Sequence, residues 1–130
     1  MKRFALALIV GTVALVGTRV DAHHSMAEYL TGQTVVIRGE VVAFEYRNPH
    51  SFIHVMVTEA DGTRARYAVE WSGSSQLKGQ ITPTTFKPGD ALVISGYAAR
   101  NAEARRVRLL SVERPSDGFA WKHRKGDFLG

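Results

Sequence analysis

Apolar and polar residues alternate with a period of two across most of residues 34–112, and turn signals cut the alternation into short runs. A chain patterned this way is committed to strands with one covered face. Val35, Ile37, Gly39 and Val41 alternate with Val36, Arg38, Glu40 and Val42 in the first run. Phe44 and Tyr46 then sit on the other parity, which predicts a bulge near Val42-Ala43, and Gly39 within the run predicts bending.

Asn48-Pro49 marks a turn, after which Ile53, Val55 and Val57 share one face of a second strand and Phe52, His54 and Met56 the other. Ala65, Tyr67, Val69 and Trp71 continue the apolar set on a third. A two-residue loop at Asp61-Gly62 would set Val57 against Arg66 and mix the faces. A three-residue loop, Ala60-Asp61-Gly62, instead pairs 57 with 65, 55 with 67 and 53 with 69, and gives Gly62 the left-handed position. This register is expected.

Ser74 to Gly79 fits one or two helical turns around Leu77, and Thr82-Pro83 fits an N-cap with Pro at the first helical position, giving a single turn through Phe86. Lys87-Pro88-Gly89-Asp90 turns into a fourth strand at Ala91–Ala99, and a fifth follows at Arg105–Val112. The expectation is an all-β chain: a small five-stranded OB-like Greek-key barrel with one short helix between strands 3 and 4. An open five-stranded sandwich is the alternative. Residues 34–114 would form the barrel and 115–130 a mobile basic tail, with Phe119 or Trp121 tacked to it.

Ahead of the strands, Met1-Lys2-Arg3, an apolar run from Phe4 to Val16, and Val20-Asp21-Ala22 have the layout of a secretory signal peptide over residues 1–22. The 13-residue run before Gly17 falls short of the roughly 20 apolar residues that span a membrane. The expected location is therefore periplasmic or secreted, with no stable transmembrane segment after processing. Residues 23–33 would be an N-terminal arm. With no cysteine, the domain has no disulfide and must be held by its core.

The whole chain carries +5, and without the leader's Lys2, Arg3, Arg19 and Asp21 the remainder carries +3. Arg100, Arg105, Arg106, Arg108 and Arg114, with Lys122-His123-Arg124-Lys125, read as solvated surface. They lack the aromatic interleaving of a nucleic-acid face, so no nucleic-acid partner is expected.

Histidine carries the chemistry. Cleavage after Ala22 would free an α-amino group on His23, so that amine and imidazole can chelate one metal ion while His24 supplies another nitrogen. Imidazole and carboxylate donors suit a divalent transition metal, copper first. His50 and His54, four residues apart on an extended chain, lie about 13 Å apart and cannot share an ion. In the preferred register Glu70 faces Phe52 and lies diagonal to His50, so His50 and Glu70 join His23 and His24 as metal candidates, with Glu70 either orienting the imidazole or binding metal itself. Alternatively His50 caps the Asn48-Pro49 turn and Glu70 pairs with Arg66 or Arg47. Phe52, His54 and Met56, together with Asn48 and Trp71, form a second candidate face for an envelope protein or polysaccharide. No nucleophile motif, phosphate loop or zinc helix occurs, so binding is favoured over catalysis.

Ala22-His23-His24-Ser25, Asn48-Pro49-His50, Asp61-Gly62, Val69-Glu70-Trp71, Lys87-Pro88-Gly89-Asp90 and Gly96-Tyr97, in this order and spacing, resemble an uncharacterised family of secreted bacterial proteins catalogued as a domain of unknown function. The resemblance covers nearly all of residues 1–112. It implies export to the periplasm and a small β-barrel-like domain with no established activity. Its recurring His-His-Ser and Asn-Pro-His elements fall on His23, His24, Asn48 and His50. His54, Met56 and the basic tail depart from it. The expected function is a small exported binding or accessory protein holding a divalent metal through its processed histidine arm; the alternative is a metal-free docking module.

Overall fold

The computed structural model describes residues 26–124, so the leader and the His23-His24 pair lie outside the described residues. Six strands form one sheet: β1 (Tyr29–Glu45), β2 (Phe52–Thr58), β3 (Arg64–Glu70), β4 (Ala91–Ala99), β5 (Arg106–Arg114) and β6 (Phe119–Lys122). One short helix, α1 (Ser74–Leu77), stands between β3 and β4, as expected. The strand order is β3-β2-β1-β4-β5-β6, and β3 also pairs with β5, in parallel, while every other pairing is antiparallel. The chain is therefore mostly β.

The β2–β3 hairpin has the register that alternation demands: Val57 faces Ala65, Val55 faces Tyr67 and Ile53 faces Val69. Gly62 takes φ 84°, the left-handed turn position. The bulge falls where the parity changes, between Val41 and Ala43. Inward residues Val41, Ile53, Val55, Val69, Ile94 and Leu109 make the centre of the core. Gly96 of β4 lies so close to β5 that a Cβ there would meet the Arg108 carbonyl oxygen at 2.1 Å.

Three expectations change. β1 starts at Tyr29 rather than Thr34, so half of the expected arm is strand. Its Thr31-Gly32-Gln33 sequence lacks an apolar alternation because all three residues are exposed. Residues 82–86 form a hydrogen-bonded turn, Thr85 N–H to the Thr82 carbonyl at 3.1 Å, and no helix. The tail contributes β6 as a sixth strand, pairing Trp121 with Val112. Both tail aromatics pack inward, Phe119 at 5.4 Å from Phe86 and Trp121 at 4.8 Å from Trp71 between ring centres.

Candidate functional site

Glu70, at the end of β3, is 3% exposed and faces Tyr29, Arg106, Arg108 and His50 among the described residues. The hairpin register sets it opposite Phe52. Two backbone bonds, Trp71 N–H to Ser51 O (2.8 Å) and Ser51 N–H to Ser72 O (3.1 Å), extend the ladder past the strand ends and bring His50 alongside. The parallel β3–β5 pairing sets Arg108 directly beside Glu70 and Arg106 beside Ala68. From β1, Tyr29 closes the cluster.

Oε2 of Glu70 accepts from the Tyr29 hydroxyl and from Arg106 Nη2 at 2.7 Å. Oε1 faces Arg108 Nη1 at 3.1 Å and His50 Nδ1 at 3.2 Å. Among the described residues these donors are as many as the lone-pair positions of a carboxylate, an arrangement that suits Glu70 to orienting its neighbours. Arg108 Nη1 also lies 3.1 Å from His50 Nδ1 and 3.4 Å from the Trp71 carbonyl. With the ring proton on Nδ1, His50 donates to Glu70 Oε1 while Arg108 Nη1 serves Glu70 and the Trp71 carbonyl; with it on Nε2, Nδ1 accepts from Arg108. A neutral imidazole with its proton on Nδ1 carries a bare lone pair on Nε2. Among the described residues Nε2 has no hydrogen-bond partner, and the side chain is 18% exposed.

Burial, then the bond to the Glu70 carboxylate, holds the Tyr29 phenol well above its ordinary range. Arg108 is pulled down by burial, against the opposing attraction of Glu70. Its Nε is buried without a partner among the described residues, a cost of about 1–3 kcal/mol that packing at this position must offset. The reading of this arginine as solvated surface is corrected: Arg108 is 1% exposed, because the parallel β3–β5 pairing sets it beside the buried Glu70, whose carboxylate it meets. Arg114 is not free surface either, bridging Asp90 at 2.8 Å and Asp117 at 2.9 Å. Nor does Glu70 pair with Arg66 or Arg47, since Arg47 turns to Glu45 at 2.9 Å.

The second candidate face separates into three parts. Phe52, His54 and Met56 are half-buried on one side of β2. The Phe52 and His54 rings stack at 6.2 Å, Arg47 and Arg106 lie over Phe52 at 5.3 and 5.9 Å, and His54 Nε2 meets Glu45 Oε1 at 2.6 Å. That bond, aided by charge, holds the Glu45 carboxyl below its usual range. Asn48 caps α1 from outside it, its Oδ1 accepting from Ser75 N–H at 3.1 Å and Ser75 Oγ at 3.0 Å. Trp71 is not on this face. It is 1% exposed in the core, where its apolar parity with Val69 and Tyr67 places it.

No three His, Cys, Asp or Glu side chains converge as a metal site among the described residues. Of the four metal candidates, the structure brings together His50 and Glu70, while His23 and His24 lie outside the described residues. The matched span decides the kinship: a family of unknown function, DUF6152, matches residues 10–108. The chain belongs to this family. The DUF6152 span holds Tyr29, His50, Glu70, Arg106 and Arg108 entire and leaves out β6. A comparison with curated proteins finds no match.

Proposed function

We propose that this DUF6152 protein is an exported, periplasmic binding protein that holds a divalent metal, copper first. Its ligands are the His23 amine and imidazole, His24, and Nε2 of His50. Glu70 serves as the carboxylate that fixes the His50 ring. The observation that carries this reading is the His50–Glu70 contact at 3.2 Å, with Nε2 left over. Reach supports it as well. Tyr29 is tied to Glu70, and Ala27 and Glu28 are tied to Arg100 and Arg106. His24 is five Cα–Cα steps from Tyr29, so the chain can extend at most about 18 Å from that anchor. The five-strand circuit β1-β2-β3-β5-β4, with α1 between β3 and β4, supports an OB-like Greek-key barrel as the scaffold.

The test is copper titration of protein secreted and trimmed by its own host, with the terminus read by mass spectrometry. Stoichiometric binding is expected when the chain starts at His23, and its loss when one residue is added ahead of His23. Glu70→Gln should weaken binding about 10–100-fold through the disoriented ring. A terminus elsewhere, or equal affinity of the extended form, overturns the proposal. A metal-free protein that captures an envelope protein or polysaccharide through Phe52 and His54 would replace it.

A further inference from the structure

Between β1 and the β4–β5 connection a cleft of about 330 Å³ opens, within the size range of small-molecule sites. Its origin is the register of β1. Tyr29 pairs with Ala99 and Thr34 with Tyr97, so Leu30–Gln33 stand opposite Ala98 alone and arch away from β4. Leu30 is exposed over the opening, and Val35, Ile37 and Tyr67 stay half-buried beneath it. The far rim is Arg100, Asn101 and Arg105. Arg105 holds φ 45°, a left-handed conformation that costs a non-glycine residue about 1–2 kcal/mol.

The charges at the rim are uneven. Arg105 pairs with Glu59 at 3.1 Å, and Arg106 pairs with Glu28 and Glu70. Arg100 has no carboxylate partner among the described residues; its Nε donates to the Ala27 carbonyl at 2.8 Å. One uncompensated guanidinium beside an apolar cleft matches a ligand with an apolar body and a single planar anionic group. We propose that this cleft binds a small amphipathic monocarboxylate, its apolar part against Leu30, Val35, Ile37 and Tyr67 and its carboxylate on Arg100. The chain's own start is a poor occupant: after the expected cleavage only His23, His24, Ser25 and Met26 precede Ala27, and Met26 alone is apolar.

The experiment uses the mature protein with a chelator present, so that metal coordination by the ligand plays no part. Decanoate and decanol are titrated by calorimetry, and backbone amide shifts locate them. Decanoate should bind about tenfold or more tightly than decanol and move the amides of Leu30 and residues 98–102. Arg100→Ala should remove the preference for decanoate while leaving decanol unchanged. Leu30→Asp, a change at an exposed position, should repel decanoate about tenfold or more. Equal binding of the two probes, binding of neither, shifts elsewhere in the protein, or decanoate binding undisturbed by both substitutions would overturn the proposal. None of these results depends on copper.

Discussion

Glu70 and Trp71 are neighbours in sequence, both almost fully buried, yet they belong to two different interiors. Around Trp71 the contacts are rings: Trp121 at 4.8 Å, Phe86 at 6.1 Å and Phe44 at 6.5 Å, with Phe119 edge-on to Phe86. Around Glu70 they are charges and hydrogen bonds. Dispersion is non-directional, so the aromatic region tolerates any filling of the right volume. In the charged region each lost partner strands a desolvated group. One interior supplies stability and the other a fixed arrangement of side chains.

The sharpest way to break this contrast is to truncate on each side. Arg108→Ala and Trp71→Ala should each cost about 3–5 kcal/mol in urea unfolding, the first by orphaning a buried carboxylate, the second by opening a cavity. The two regions then part company. Replacing Glu70 and Arg108 together by Met should recover part of the loss, since the ion pair goes as a unit while the Tyr29 hydroxyl is left without its acceptor. Replacing Trp71 and Phe86 together by Ala should only deepen it. A charge-pair double variant as unstable as Arg108→Ala alone would show that the cluster stabilises the fold in its own right.

Tyr29→Phe comes next, with an expected loss of about 1–3 kcal/mol at neutral pH from the vacated carboxylate lone pair. The same phenol carries a smaller, pH-dependent effect. Its folded value is raised above the ordinary 10.0, so above that pH the unfolded chain releases a proton that the folded chain keeps. Stability should therefore be level below pH 10.0 and fall as pH rises beyond it. Thermal melts from neutral to strongly alkaline pH should show this decline, shallower in Tyr29→Phe. Identical slopes would mean that burial and Glu70 together do not hold the phenol above its ordinary range.

Much of the charged region was legible in the sequence, but only along the hairpin. Alternation and Gly62 set the β2–β3 register, and the register alone put Glu70 within reach of His50. Tyr29 was hidden because the residues after it are polar, although they continue a strand. Arg106 and Arg108 were hidden for a different reason. In sequence they belong to a basic run of the kind that usually faces water, and only the parallel β3–β5 pairing, between segments about 40 residues apart, turns Arg108 inward. Gly96 was the available clue, a glycine inside a strand that marks a close approach. The aromatic region was half legible: Trp71 followed from parity, while Phe119 and Trp121 required β6.

Nitrogen–proton correlation spectra of the His50 imidazole in metal-free protein read directly whether Glu70 sets its tautomer. At about pH 8, where an ordinary histidine is neutral, the proton should reside on Nδ1 with Nε2 bare. A proton found on Nε2, with Nδ1 accepting from Arg108, would contradict the claim that the buried carboxylate presents His50 as a ligand.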